Sequence, residues 1–255
     1  MNGDDKPRTI RAVERASRII QALEDEGHLT LTDISNRLDV SKSTVHRHLS
    51  TLAEQGFVTK QKDGYWLGLS LLELGEKARL QRPIYKVAKT KLDETARETG
   101  ENIWLSVEEN GEIVYIYRVS GEYHIETYAS IGYRSDPHLL AAGKVILAYM
   151  EEERAEEIIS DLTMSARTDN TITAEEELRE QLQLARDEGV AYNFQEAAED
   201  INALAAPIFR PNGGIYGSVS IFGPANRLTE QKLKTEYKDL TLQVAEEIKL
   251  RAQYG

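Results

Sequence analysis

The reading of this chain turns on Ser41-Lys42-Ser43-Thr44-Val45-His46-Arg47-His48-Leu49. Ser41 is a strong N-cap type, because its side-chain oxygen can accept from an otherwise unpaired N–H of the first helical turn. The helix it opens is expected from about Lys42 to Gln55, ending at Gly56. At roughly 100° per residue, Val45, Leu49, Leu52 and Ala53 fall on one side and anchor the helix. Ser43, Arg47 and Ser50 point the other way, with Thr44, His46 and Thr51 beside them. Such an outer face can enter a DNA major groove, where Arg pairs with guanine O6 and N7 and hydroxyls reach bases or phosphates. The bland alternative for this face is simple solvation.

The flanking sequence favours the groove. Upstream, Val13, Ala16, Ile19, Ile20 and Leu23 recur at helical spacing over Arg11–Glu26, with Gly27 as the stop. Leu29-Thr30-Leu31 reads as a small strand, and Thr32 as the N-cap of a short helix through Leu38. Downstream, β-rich runs over Phe57–Gln61 and Tyr65–Gly68 meet across Asp63-Gly64, a strong hairpin turn signal. Helix, helix, turn, helix, hairpin is a winged helix-turn-helix. Lys42, Lys60 and Lys62 would touch phosphates, which position a protein without reading sequence.

Charge supports this division. The chain has 255 residues and a net charge of −12, yet its first 80 residues hold twelve basic and twelve acidic side chains. All the excess acid lies in the remaining 175 residues, so the overall charge does not exclude nucleic acid as a partner of the N-terminal part. Surplus carboxylates, with Arg outnumbering Lys 18 to 13, suit a protein that works in concentrated salt. The length favours two domains. The absence of Cys excludes disulfides, thiolate metal sites and cysteine nucleophiles. No apolar run approaches the ~18 residues of a membrane span, and the N-terminus lacks a signal-peptide core, so a cytoplasmic protein without membrane contact is expected.

Beyond Ser70 a helix to about Gln81 is interrupted at Pro83, and helical sequence resumes to about Thr99. Strands are expected at Asn102–Glu109, Glu112–Val119, Ile125–Ala129, Leu204–Phe209 and Ile215–Phe222. Helices are expected at Leu139–Met150, Glu151–Ser160, Ala174–Glu188 and Thr229–Gln253. Strands flanked by helices imply an α+β domain with an antiparallel sheet. The expected domains are therefore residues 1–69, a linker helix over 70–83, and residues 84–255.

Lys42-Ser43-Thr44-Val45-His46-Arg47, followed by Ala142-Gly143-Lys144 and Ala205-Ala206-Pro207-Ile208, resembles the IclR family of transcriptional regulators along essentially the whole chain. The resemblance implies a winged-helix DNA-binding domain, a linker helix that helps dimerise, and a GAF-like domain that senses a small metabolite. It also implies a homodimer on a pseudo-palindromic double-stranded operator, which can pair again to a dimer of dimers, and catabolic targets such as carbohydrate pathways. No cofactor is expected.

The segment Ile131–Lys144 is a turn-rich loop feeding a helix, and free N–H groups at a helix start suit an anion. Ala141 and Ala142 match family positions that approach a bound carboxylate. The facing wall is carried over as Asn193, Ile201, Ala203, Ser220 and Phe222. Here the chain departs from the carboxylate-binding pattern: Asn193 stands where Asp is common, Ala203 where Cys is common and Phe222 where Ser is common. Those replacements argue against glyoxylate-type ligands and leave a sugar acid or another organic acid as the expectation.

Other classes are weaker. Ser135, Asp136 and His138 lie too close along one loop to align as nucleophile, base and orienter, and no Gly-x-Ser-x-Gly elbow supports them. No enzyme is expected. His46 and His48 point about 200° apart on a helix, a poor start for a metal site, with His48 the more packed. Glu151-Glu152-Glu153 and Glu175-Glu176-Glu177 fit solvated helix starts. A sensor acting only through protein partners is the serious competitor, but it has no need of an Arg-bearing helix face beside a basic hairpin.

Overall fold

The computed structural model describes residues 9–123 and 129–254, which fall into two compact units divided between Ala78 and Arg79. The expected strand at Ile125–Ala129 lies, apart from Ala129, outside the described residues.

In the first unit, helix α1 (Arg11–Glu26) precedes the two-residue strand β1 (His28–Leu29), α2 (Leu31–Leu38) and α3 (Lys42–Glu54). The hairpin β2 (Val58–Gln61) and β3 (Gly64–Leu67) completes a three-stranded sheet in the order β1-β3-β2. Ile19, Leu23, Ile34, Val45, Leu49, Leu52, Val58 and Tyr65 fill one core, joining one stripe from each helix to the inner face of the hairpin. Two expectations need correction. The cap of α2 is Thr30, not Thr32: its hydroxyl accepts from the Asp33 N–H at 3.3 Å, and the Asp33 carboxylate accepts from the Thr30 N–H at 3.0 Å. Asp33 lies three residues beyond Thr30, the spacing a reciprocal capping box requires. Ala53 is exposed rather than anchoring, because the core ends at Leu52 in the last turn of α3. Helix α4 (Ser70–Leu80) follows, at the position expected for the linker, and buries none of its residues within this single chain.

The second unit starts with α5 (Pro83–Thr99), whose proline sits at the first helical turn, where a missing N–H costs nothing. Strands β4 (Asn102–Glu109), β5 (Glu112–Ser120), β6 (Arg134–Ser135), β7 (Ala191–Phe194), β8 (Ile201–Phe209) and β9 (Ile215–Pro224) form one antiparallel sheet in the order β6-β5-β4-β9-β8-β7. A 3₁₀ turn (Pro137–Leu139) leads into α6 (Ala141–Tyr149), followed by α7 (Glu152–Asp161) and α8 (Glu175–Glu188). The chain ends with α9 (Glu230–Lys232), a π-helical segment (Leu233–Tyr237) and α10 (Lys238–Tyr254).

Alternation along the strands divides their side chains between two cores. Ile103, Leu105, Leu204, Ala206, Val219 and Ile221 meet Leu92 of α5 and Val244 and Ile248 of α10 on one face. Trp104, Ala205 and Phe222 meet Val145 of α6 and Leu178 and Leu182 of α8 on the other. The two acidic triplets do begin helices, with Glu152 and Glu153 in the first turn of α7 and Glu175–Glu177 in that of α8. Strands β6 and β7 were not anticipated. The last helix runs unbroken from Glu230 to Tyr254, as expected, but widens to a π turn over Leu233–Tyr237, where Leu233 is buried and Tyr237 donates to the Glu101 carboxylate at 2.8 Å.

Candidate functional site

The first site is the outer face of α3. Ser41 caps the helix by accepting from the Thr44 N–H at 3.4 Å, and Val45, Leu49 and Leu52 bind the opposite face to the core. Lys42, Ser43, His46, Arg47, Ser50 and Thr51 are exposed, Thr44 and His48 half-buried. Ser50 donates its hydroxyl to the His46 carbonyl at 2.9 Å, and Thr51 donates to the Arg47 carbonyl at 3.1 Å. With those protons engaged, both oxygens face outward as acceptors, suited to amino groups of bases rather than to phosphate oxygens.

Cations in this unit divide into two sets. Arg37 is held by Asp25 and by Glu26, the latter at 2.6 Å, and Lys77 by Glu73 at 2.5 Å. Lys42, Arg47, Lys60 and Lys62 are exposed and form no salt bridge among the described residues, and Arg11, Arg15 and Arg18 of α1 form none either. At the hairpin the Trp66 indole donates to Asp63 at 3.1 Å and stacks on His28 with centroids 4.7 Å apart. That hydrogen bond lowers the Asp63 carboxyl below its ordinary value. The turn that carries Lys62 is thus tied to its own strand.

The second site lies in the other unit. Strand register puts Asn193, Ala203 and Phe222 in one row across β7, β8 and β9, and Ala191, Ala205, Ser220 and Trp104 in the next. Above these rows α6 starts at Ala141 without a side-chain cap. Between them is a cavity of about 170 Å³, and all seven pocket residues expected from the sequence line it: Ala141, Ala142, Asn193, Ile201, Ala203, Ser220 and Phe222. Trp104, Tyr115, Leu140, Ala197 and Ala198 line it too and were not anticipated. For Trp104 the signal was present, since it stands directly opposite Ser220 in the ladder. Ala197 and Ala198 belong to a loop whose sequence has no periodicity to read.

Three devices hold this cavity. Asn193 donates to the Leu139 carbonyl at 2.5 Å and accepts from the Glu196 N–H at 3.1 Å. Lys144 of α6, fully buried, places its ammonium 2.7 Å from both carboxylate oxygens of Glu196. Burial is the main influence on both, pushing Lys144 down and Glu196 up from their ordinary values. Gly143 completes the set: a Cβ there would come within 2.2 Å of the Pro137 carbonyl oxygen, so the 3₁₀ turn and α6 touch only because the side chain is absent.

No hydrolytic line forms at Ser135, Asp136 and His138. Among the described residues no hydrogen bond joins the buried Ser135 hydroxyl to the buried His138 ring, so serine and imidazole are not coupled. Among the described residues no group of three or more His, Asp or Glu could hold a metal ion, and no helix is long and apolar enough to cross a membrane.

Two family models match the chain: the IclR helix-turn-helix domain over residues 12–62 and the C-terminal domain of bacterial transcriptional regulator IclR over residues 77–250. The chain is similar to the HTH-type transcriptional regulator KdgR of Dickeya chrysanthemi, at 34% identity over 92% of this chain and 77% of that protein. It is similar also to the probable HTH-type transcriptional regulator ArcR of Halobacterium salinarum, at 32% identity over 99% of this chain and 97% of that protein. Among solved structures, IclR of Thermotoga maritima superposes with a TM-score of 0.78 at 31% identity, over 96% of this chain and 100% of that one. Helix-turn-helix unit, α+β unit and both family models agree, and the chain belongs to the IclR family of DNA-binding transcriptional regulators.

Proposed function

We propose that α3 is the recognition helix, that the cavity under α6 receives a small-molecule effector, and that the protein acts in the cytoplasm as a homodimer. The observation that supports the first part is the outer face of α3, which leaves Lys42 and Arg47 exposed and without a salt bridge among the described residues while Val45, Leu49 and Leu52 hold the opposite face in the core, with Lys60 and Lys62 likewise exposed on the hairpin. Arg47 reads a base edge, Lys42, Lys60 and Lys62 hold phosphates, and Ser43, Thr44, His46, Ser50 and Thr51 complete the contact face. The seven residues gathered around one cavity support the second part.

The homodimer reading is supported by apolar exposure in the single chain. Leu72 on α4 is 65% exposed and Leu69, just before it, 84%. Second copies of these side chains are a natural cover, and pairing would set two recognition helices about 34 Å apart, matching a pseudo-palindrome. Two such dimers can associate further. Effector binding favours one arrangement of the regulator, and by linkage operator DNA changes effector affinity by the same factor.

Fluorescence anisotropy tests the proposal. The protein is titrated against the intergenic DNA flanking its own gene and against a scrambled duplex, over a series of KCl concentrations. Preference for the flanking DNA at salt that abolishes scrambled binding is the expected result. Equal affinity for both at every salt, followed by an empty genome-wide binding survey, would sink it.

A further inference from the structure

Helix α1 carries its charges the wrong way round. A helix is partially positive at its start and negative at its end, so acids suit the first turn and bases the last. Helices α2, α8 and α10 follow that rule, with Asp33, Glu175–Glu177 and Asp239 in their first turns and Arg37, Arg186 and Arg251 in their last. Helix α1 instead opens at Arg11 with no side-chain cap, continues with Arg15 and Arg18, and ends on Glu24-Asp25-Glu26 with no base in its last turn. Glu14 alone is acidic in its first turn. Helix stability does not account for three arginines at that end.

The rest of the unit answers only one of the two ends. At the acidic end, Arg37 of α2 pairs with Asp25 and Glu26. At the basic end, Arg11, Arg15 and Arg18 form no salt bridge among the described residues, and Glu14, four positions before Arg18, does not pair with it. Arg11 and Arg18 are exposed and Arg15 is half-buried. At about 100° per residue the three lie within about 60° of one another, beside the stripe that Ile19 and Leu23 bury in the core. The exposed apolar residues Ile10 and Val13 lie about 80° or more away from the nearest arginine, so the row is a charged surface of its own. From Arg11 to Arg18 the helix rises about 10 Å, and one DNA strand presents a phosphate about every 3.4 Å of its axis. Three cations over that length match about three phosphates, and the planar guanidinium fork fits a phosphate with two hydrogen bonds.

We propose that Arg11, Arg15 and Arg18 form a second contact with the DNA backbone, a phosphate clamp separate from α3 and the hairpin. This goes beyond α3 as the recognition helix and needs only that the unit binds DNA. The reversed charge then has a reason: the anions that the start of α1 lacks in the free protein arrive with the duplex. Phosphates are the same at every base pair, so the clamp is blind to sequence. It adds affinity and salt dependence without adding specificity.

Because such contacts ignore sequence, a scrambled duplex serves as the probe. Anisotropy titrations over a KCl series give the log–log salt slope for the full-length protein, for Arg11→Gln, and for a variant with Arg11, Arg15 and Arg18 all changed to Gln. The slope should fall by about one in Arg11→Gln and by about three in the triple variant. Preference for the flanking DNA over the scrambled duplex should not change, and the melting temperature should be no lower than the parent's. Lys77→Gln removes a charge that Glu73 already holds at 2.5 Å and should leave the slope alone. A parent-like slope in both arginine variants overturns the clamp. A changed association state with an unchanged slope overturns it too, and assigns the row to an acidic surface of a second copy. Lost sequence preference in the triple variant would replace phosphate contact by base reading. Arg47→Ala, measured alongside, keeps the two readings apart: lost preference there, with an unaltered slope in the α1 variants, leaves α3 as the recognition helix and removes only the clamp.

Discussion

Arg47 and Lys144 are both basic residues of helices, and the surroundings of each decide what its loss would do. Arg47 is exposed and unpaired in the free protein, so Arg47→Ala should leave the unfolding transition unchanged. Its cost should appear on DNA, as about 1–3 kcal/mol of operator affinity together with relaxed preference at one base pair. Operator affinity equal to the parent's would remove Arg47 from base reading. Lys144 is the opposite case, 1% exposed and shared between both oxygens of Glu196. Lys144→Met leaves a carboxylate buried without its partner and should lower stability by about 3–5 kcal/mol. Adding Glu196→Gln should return part of that loss, and a double variant no more stable than Lys144→Met would refute the pairing as the cause.

At the scale of elements, the cap of α2 makes a pH-dependent prediction. The Thr30 hydrogen bonds are the largest influence on Asp33 and hold its carboxyl below the ordinary 3.8. A folded-state value lower than the unfolded one stabilises the native state above the unfolded value, and that contribution is lost as pH falls through the lowered one. Thr30→Ala should reduce stability at neutral pH by about 1 kcal/mol, as N-cap removal does, and flatten the decline below pH 3.8. An unchanged slope in urea denaturation across that range would deny Asp33 its part in the cap.

The same helix marks where sequence could be read and where it could not. The periodicity of α1 and α3 and the Asp63-Gly64 turn were legible because each is a local rule that tertiary contacts do not override. Thr30 and Thr32 are equally good cap residues by type, and what separates them is the partner three positions on, Asp33 for Thr30. Strand β7 was invisible for another reason: Ala191, Tyr192 and Asn193 are all buried, so no alternation marks it. Seven lining residues were reachable through the family resemblance; Ala197 and Ala198 depend on a loop held by Thr168 and Thr171, which donate to the Gln195 and Glu196 carbonyls at 2.7 Å, contacts that sequence spacing cannot encode.

For the molecule as a whole, charge is segregated, and salt should act on two properties in opposite directions. The −12 lies outside the first 80 residues, so added KCl screens self-repulsion and should raise the melting temperature. The same ions compete with Lys42, Lys60 and Lys62 for phosphate, so operator affinity should fall on a log–log plot. Lys60→Ala or Lys62→Ala should each reduce that slope by about one while leaving base preference intact. A slope unaltered by both would place the phosphate contacts elsewhere.

Asn193 joins the two walls of the cavity with a single amide, its donor on the turn before α6 and its acceptor on the loop after β7. Each of these bonds contributes about 0.5–1.5 kcal/mol. A ligand too large for the space can enter only by giving up one of them, so the amide sets a toll on size as well as a shape.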